Sequence, residues 1–530
     1  MNVRACIGFG ILLSFLCAHL VSAQTAGTGA LTGTVTDSTG GRIPGVTITA
    51  TNTANGQTRV TTTGEDGSYR FSLLQPGAYS VKFEARGFAV VEVPSVQITV
   101  TETPVLNQSL SVGSETQTVT VEAEAEIIQT ASSTVGNVVA SATVAALPLS
   151  TRNYVNLIAM TAGANADVNN ATGLGKGWLI TSVNGANNTQ NNYQMDGAPI
   201  NNWASFNVGN DSGFFASLPV PNPDTIQEFK IQTSGYDASY GRNAGANVNV
   251  ITKSGTNRFH GSALEFFRNT ALNANEWFFK RNQLNRGEPN TRPVLNQNQF
   301  GGTFGGPIKK EKLLFFASYQ ETRQSNGISL YGFSGVFLPP IPSGNRGSCP
   351  SGFTAVTQCD VAAQSFVRSL GVANCGASTL RGGVQVGCDG SNINPVAINV
   401  LQLKLPNGNY YVPSPVTLPA AGSTALTTFS DPAHYKEHQL IANSDYLINS
   451  QHTLSTRYVY SANPTSAPFH CAITNGPVAS CVPGAPINFS YPSHAAVLKL
   501  TSLPSSFRVG SMHQMQPGPS PCSGSCPVVT

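Results

Sequence analysis

Four groups of side chains in this sequence have the types and spacing to do chemistry. His434-Tyr435-Lys436-Glu437-His438 fits H-x-x-E-H, the inverted order of a zinc-protease motif. That chemistry needs both histidines on one helical face and a third ligand. The residues that follow, HQLIANSDYLIN, alternate as a strand does, and no glutamate occurs after Glu437 to complete the ligand set. Gly173-Leu174-Gly175-Lys176-Gly177 has neither the spacing nor the Lys-Ser/Thr ending of a phosphate loop. Cys522 and Cys526, with His513 nearby, have metal-donor types but lie in a tail without any strand pattern. A G-x-S-x-G nucleophile elbow does not occur. These observations argue against an enzyme, and no cofactor or metal is expected.

The fourth group is the cysteines, and their meaning depends on the compartment. Arg4 opens a short basic region, Ile7 to Leu20 is an apolar run, and Val21-Ser22-Ala23 supplies small residues before Gln24. This is the order of a secretory signal over residues 1–23, cleaved between Ala23 and Gln24. The run is shorter than the ~20 residues a spanning helix needs. In an oxidising compartment, cysteines set among Gly, Pro and Ser are expected to form loop disulfides. Eight remain after the signal, none of them between residues 24 and 348. Pairing of neighbours (Cys349 with Cys359, Cys375 with Cys388, Cys471 with Cys481) is one arrangement, but spacing does not fix connectivity.

An exported chain without a second long apolar segment is either released or inserted as a barrel, because only helices and closed barrels satisfy every backbone group in lipid. Charged residues are 10% of the chain, against about 25% in typical soluble domains. Hydrophobic residues at 40% argue against disorder. A formal charge of +3 is too small to suggest a nucleic-acid partner, and none is expected.

The elements that must position any site are mainly β. Residues 28–112 show short alternating strands: Val46, Ile48 and Ala50 against Thr47, Thr49 and Thr51, then Tyr79, Val81 and Phe83 against Ser80, Lys82 and Glu84. Turns are written at Thr39-Gly40-Gly41, Asp66-Gly67 and Pro76-Gly77. About seven strands in this span predict a β-sandwich. The stretches GTVTDSTGGRIPGVTITA and DGSYRFSLLQPGAYSVKFEARGF resemble the carboxypeptidase regulatory-like domain. Such domains carry no zinc or catalytic carboxylate, and they share a fold with carbohydrate-binding modules. The resemblance therefore leaves open a sugar-binding module or a rigid spacer.

Over residues 116–255 the texture changes. Tyr154, Leu157 and Ile158 share a helical face that Gly163 ends. Asn/Gly-rich runs follow, at Val183-Asn184-Gly185-Ala186-Asn187-Asn188 and Tyr193-Gln194-Met195-Asp196-Gly197, and the module closes on GRNAGANVNVITKSGTNRFHGSA. In this order the residues resemble the plug domain of TonB-dependent receptors, and FHGSALEFFRN resembles the Oar-like branch. The resemblance implies a mixed α/β plug filling a barrel lumen, an outer-membrane location and a periplasmic TonB-type protein as energising partner. It also implies a short extended segment that pairs with TonB by β-augmentation. Gln117-Thr118-Val119-Thr120-Val121 is the candidate, with a plain linker as the alternative.

Residues 256–509 are expected to begin a transmembrane β-barrel. Leu313, Phe315, Ala317 and Tyr319 would face lipid, and Ser318, Gln320 and Thr322 the lumen; Leu454, Thr456, Tyr458 and Tyr460 would oppose Thr453, Ser455, Arg457 and Ser461. Asn449-Ser450-Gln451 predicts a tight turn. Residues 324–430, rich in Cys, Pro and Gly and without strand pattern, are expected to be a long extracellular loop. A barrel of 22 strands at about ten residues each needs over ~200 residues in strands alone, more than this region supplies beside its long loop. Six to eight strands can be placed, so the barrel is expected to be partial. Residues 510–530 form an atypical tail, which suggests a truncated or frame-shifted product. The expected function is an outer-membrane TonB-dependent receptor or transporter, in contact with outer-membrane lipid, for an unidentified ligand (a carbohydrate or a peptide). A surface binding or adhesion protein, or a non-functional truncated receptor, are the alternatives.

Overall fold

The computed structural model describes residues 27–113, 118–120, 133–147, 149–166, 173–177, 181–201, 220–236, 240–241, 243–275, 277–285, 289–329, 332–378, 383–405, 408–415, 417–468, 487–490, 492–502 and 512–515. The leading segment with Ala23 and Gln24, residues Gln117 and Val121, Cys471 and Cys481, and Cys522 and Cys526 lie outside them.

The N-terminal strands are β1 (Gly29–Asp37), β2 (Thr47–Asn52), β3 (Thr58–Thr62), β4 (Ser68–Leu74), β5 (Gly77–Glu84), β6 (Val90–Ile98), β7 (Gln108–Leu110) and β8 (Thr118–Thr120). They form two sheets, ordered β4-β1-β7 and β3-β2-β5-β6-β8. Period-two alternation makes this a sandwich: Val46, Ile48, Ala50, Tyr79, Val81 and Phe83 are all buried in one core. Tyr69 meets Phe83 edge to face at 5.8 Å, and its hydroxyl donates to the Leu106 carbonyl at 2.8 Å, so a buried ring keeps its polar tip satisfied. Asp37 fixes the first turn by accepting from the backbone of Thr39 and Gly41 at 2.8 Å each.

The next unit contains β9 (Val135–Ala140), β10 (Ala164–Ala166), β11 (Thr181–Val183), β12 (Asn192–Met195), β13 (Ala198–Pro199), β14 (Ile226–Ser234) and β15 (Asn247–Thr252). Five of them form a mixed sheet in the order β13-β12-β15-β14-β9, with β12 and β15 parallel. Tyr154–Met160 is a 3-10 helix rather than an α-helix, yet Tyr154, Leu157 and Ile158 are buried together as the apolar spacing required. Tyr154 packs edge-on to Phe229 of β14, centroids 5.4 Å apart.

The wall begins at β16 (His260–Arg268) and continues with β17 (Leu295–Lys309) and β18 (Leu313–Asn326); then β19 (Phe333–Leu338), β20 (Ala425–Ser430), β21 (Ala433–Leu447), β22 (His452–Ala462), β23 (Thr465–Ala467), β24 (Ile487–Phe489), β25 (Ser493–Ser502) and β26 (Met512–Met515). The main path β16-β17-β18-β21-β22-β25-β26 is antiparallel throughout and, among the described residues, is an open arc rather than a closed ring. The expected division of faces is present. In β21, Tyr435, Glu437, Gln439, Ile441, Asn443 and Asp445 are buried, while Leu440, Ala442 and Tyr446 alternate with them on the exposed side. Polar-in and apolar-out is what a lipid-facing barrel strand requires.

One expectation needs correction. Residues 324–430 are not one patternless loop: β18 runs into them, β19 and β20 pair as a hairpin, and residues between fold around their own core. The helix Val361–Asn374 is capped by Asp360, which accepts from Ala363 N at 2.7 Å, and buries Ala363, Phe366, Val367 and Leu370. A second helix, Pro395–Gln402, starts on Asn394 with Pro at its first turn. Arg346 sits fully buried in this unit, donating to the Leu401 carbonyl at 2.6 Å and lying 4.3 Å from the Tyr410 ring centroid. Cys349 is bonded to Cys359 and Cys375 to Cys388.

Candidate functional site

The richest polar geometry lies where the mixed sheet meets the inner wall. Gly175 shows why the sequence is small there: it has φ +64, and an added Cβ would stand 2.5 Å from the Tyr435 ring. That close approach lets its N–H donate to Gln324 at 2.6 Å. The next residue, Lys176, reaches Glu437 of β21 at 3.1 Å, both side chains buried, and also donates to the Val220 carbonyl. Burial pushes the Lys176 ammonium down, and the Glu437 carboxylate opposes that.

The contacts continue down the wall. Gln439 accepts from Asn222 N at 3.0 Å and donates to the Val220 carbonyl at 2.9 Å. Asn443 donates to Thr252 Oγ1 at 2.9 Å and to the Lys253 carbonyl at 2.8 Å. Asp445 accepts from Ser254, from Ser455 at 2.6 Å and from Arg457 at 3.0 Å. Arg457 in turn lies 3.8 Å from Asp196, which accepts from Thr252 N and Oγ1 at 3.0 and 2.7 Å. Apolar contact is narrower: Ile441, Val459 and Ala495 are the wall's members of the mixed sheet's core. Phe266 of β16 adds a cation–π contact, the Arg152 guanidinium standing 3.9 Å from its centroid.

The H-x-x-E-H run is thereby dismantled by strand geometry. On β21 the period of two puts His434 and His438 on the outer face and Glu437 on the inner. His438 meets Tyr319 at 2.9 Å, and His434 meets Ser325 at 3.0 Å. Two runs that failed as catalytic motifs, around Lys176 and Glu437, supply the two ends of one buried ion pair. Neither spacing nor charge pattern in the sequence indicated that they would meet.

Below the mixed sheet the sandwich is docked by a second ionic cluster. Val100 N donates to Glu228 of β14 at 2.6 Å, and Lys230 reaches Glu102 at 3.0 Å. Burial, with the Glu102 charge adding to it, raises the Glu228 carboxyl to about 7, against the opposing Val100 N–H and Lys230. The sandwich also meets the near end of the wall: Asn257 N, in the bend leading into β16, donates to the Ala54 carbonyl at 2.9 Å, and Arg59 donates to the Ser450 carbonyl in the turn between β21 and β22. This bend and turn therefore share one end of the molecule with the sandwich, and the disulfide-bonded unit occupies the other.

Residues 251–511 match the family described as the outer membrane beta barrel domain. The chain is also 30% identical over 302 residues to the TonB-dependent transporter Oar of Myxococcus xanthus. It carries an outer-membrane β-barrel domain and is a homologue of that TonB-dependent transporter. Its place is the outer membrane, and the curated relative it matches is a transporter.

The chain carries a second matched family at residues 30–111, the carboxypeptidase regulatory-like domain. The Oar alignment takes in 53% of this chain and 26% of that protein, so the chain spans about a quarter of the curated relative it matches. Among solved structures it is similar to the outer membrane transporter YddB from Escherichia coli, at 12% identity and a TM-score of 0.39, over 69% of this chain and 37% of that one. A ferric enterobactin receptor of Pseudomonas aeruginosa gives 11% identity and a TM-score of 0.35, over 72% and 45% of the two chains. At these values the superpositions carry no weight in assigning ligand or mechanism.

Of the segment expected to contact TonB, Thr118–Thr120 is described. It forms β8, paired in parallel with β6 through Val90, Val91 and Glu92. The segment is thus laid along an edge of the sandwich rather than extended alone.

Proposed function

We propose that this receptor binds a small molecule or short peptide outside the cell and passes it inward when a TonB-type protein displaces the plug. The working units are a sandwich over residues 28–112, a plug over 116–255 and barrel wall over 256–509. The observation that supports this reading best is the chemistry of the plug–wall contact. It is built chiefly from hydrogen bonds and ion pairs through Gln324, Glu437, Gln439, Asn443 and Asp445. Water can replace such partners one at a time at small net cost, so the plug can be seated firmly and still be pulled free. A seam of interlocked apolar side chains would not allow this. The disulfide-bonded unit over residues 338–415, on the far side of the wall from the sandwich, is where a carbohydrate or peptide would first be met.

Capture by TonB would use the Gln117–Val121 segment as an added strand, exchanging β6 for the partner. Replacing Val119 by proline removes a backbone donor and breaks such pairing. Co-purification of the full receptor with the periplasmic domain of TonB from the same organism tests this. Wild type is expected to retain it and Val119→Pro to lose at least tenfold in affinity. Equal retention by both proteins would contradict the assignment of this segment.

A further inference from the structure

Neighbouring strands of the inner wall use their polar side chains differently. Along β21 these are turned to the plug: Glu437 meets Lys176, and Gln439 meets Asn222 and Val220. The same rows run on into β18 and β17. Glu437 stands opposite Thr322 and Gln439 opposite Gln320, while Thr322 stands opposite Gln299 and Gln324 opposite Gln297. Residues directly opposite one another share a face of the sheet, so Gln297, Gln299, Gln320 and Thr322 all face the lumen. Each is buried, none more than 3% exposed. Yet Nε2 of Gln297, Gln299 and Gln320, Oε1 of Gln320 and Oγ1 of Thr322 find no hydrogen-bond partner among the described residues.

Part of the cause is local: Gly301, opposite Gln320, has no side chain to offer it. On the plug side the pattern recurs. Asn222 gives its backbone N–H to Gln439, but both ends of its buried side-chain amide lack a partner. Arg152 is ion-paired to Asp224 and lies over Phe266, which stands opposite Gln299, and its Nε–H is again without an acceptor. Buried polar groups in folded proteins are hydrogen-bonded almost without exception, so each orphan calls for a reason. A single one could be an accident of packing. Here donors and acceptors from both surfaces border one strip, two strands wide and three rows long, about 14 Å by 5 Å.

We infer that this strip binds a neutral, hydroxyl-rich solute, a carbohydrate or another polyol, as it passes between plug and wall. The inference rests on the transport proposed above, and adds to it the class of cargo and the side of the lumen that the cargo follows. The orphaned wall atoms belong to neutral amides and a hydroxyl, and Arg152 is already balanced by Asp224. The strip therefore calls for hydrogen bonds without charge. A hydroxyl group donates and accepts through one atom, which suits a surface that mixes free N–H groups with free oxygens. A short peptide would bring charged ends, which neutral amides do not match. With the plug seated the strip is covered. Lifting the plug from Gln299, Gln320 and Thr322 breaks no hydrogen bond of these orphaned atoms, whereas Glu437 and Gln439 on β21 must release theirs.

The test uses the full chain in a detergent without a sugar headgroup, at the urea concentration that half-releases the plug. Raffinose is the probe and tri-alanine the peptide comparison, each followed by saturation-transfer NMR as its concentration rises. Raffinose should bind saturably and tri-alanine should not. Gln299→Met and Gln320→Met, close to glutamine in size but apolar, should each weaken raffinose about fivefold or more. Neither should lower the urea midpoint of plug release, because these amides hold no plug partner. If one variant does not fold, the other carries the comparison. Equal binding of raffinose and tri-alanine would overturn the cargo class. Unweakened raffinose binding in the variants, or a lowered midpoint, would overturn the strip. Plug release without any raffinose binding sinks this inference alone, whereas a plug that urea never releases sinks the transport reading with it.

Discussion

Lys176 and Glu437 decide how tightly the plug is seated, because each is buried and each neutralises the other. Lys176→Met leaves a carboxylate stranded in the lumen wall, and removing one member of a buried pair costs about 3–5 kcal/mol. The double change Lys176→Met with Glu437→Leu should recover most of that loss, since apolar groups of similar size need no partner. Urea titration of plug release in detergent reads both, and a single variant as stable as wild type would show that the pair does not hold the plug. Glu228 governs the sandwich instead. Its carboxyl is raised from 4.5 to about 7, chiefly by burial, so the docked state favours the neutral form. Its contribution to docking is whole below about pH 4.5 and is lost as pH rises through 7. Hydrogen exchange over Val100–Glu102 should therefore quicken from pH 5 to 8, beyond its intrinsic rate. Glu228→Gln should remove that dependence, and a persistent dependence in the variant would assign it to another group.

At the scale of elements, β21 carries both functions of the wall on its two faces. Leu440 faces outward, beside Tyr319 and Tyr460 across the sheet. Leu440→Arg should cost about 2–4 kcal/mol if it stands near the bilayer midplane, whereas Lys436→Gln nearer the far end should change little. Folding equilibria in lipid vesicles measure the difference, and equal effects would mean that this face does not meet lipid. Such faces were legible in the sequence: Leu313, Phe315 and Ala317 do alternate with Ser318, Gln320 and Thr322, because the strand period is fixed by the backbone. The tight turn at Asn449–Gln451 was legible too, with Asn449 accepting from Gln451 N and His452 N at 2.8 and 2.9 Å. The folded unit inside residues 324–430 was not seen, although its signal was present. Asp360 as cap, then Ala363, Phe366, Val367 and Leu370 at helical spacing, is an amphipathic helix hidden among Gly, Pro and Cys. The Lys176–Glu437 and Arg457–Asp196 contacts were beyond reach, since their partners are brought together only by seating the plug against the wall.

For the whole molecule, these contacts give a definite polarity. The sandwich packs on the plug through Glu228 and Lys230 and on the near end of the wall through Ala54 and Arg59. The disulfide-bonded unit stands at the opposite ends of the same strands, between β18 and β21. Under the proposed function the sandwich would lie in the periplasm, within reach of TonB, and the folded unit outside, where a ligand arrives. Gly40 and Gly352 lie in turns where an added side-chain atom would meet nothing, so a short epitope at either should be tolerated. The most direct measurement is antibody binding to these two tagged receptors on intact cells and again after the outer membrane is opened. The account predicts that the tag at Gly352 is reached on intact cells and the tag at Gly40 only after opening. Binding at Gly40 on intact cells, or equal protection of both tags, would contradict a plugged wall spanning the outer membrane in this orientation.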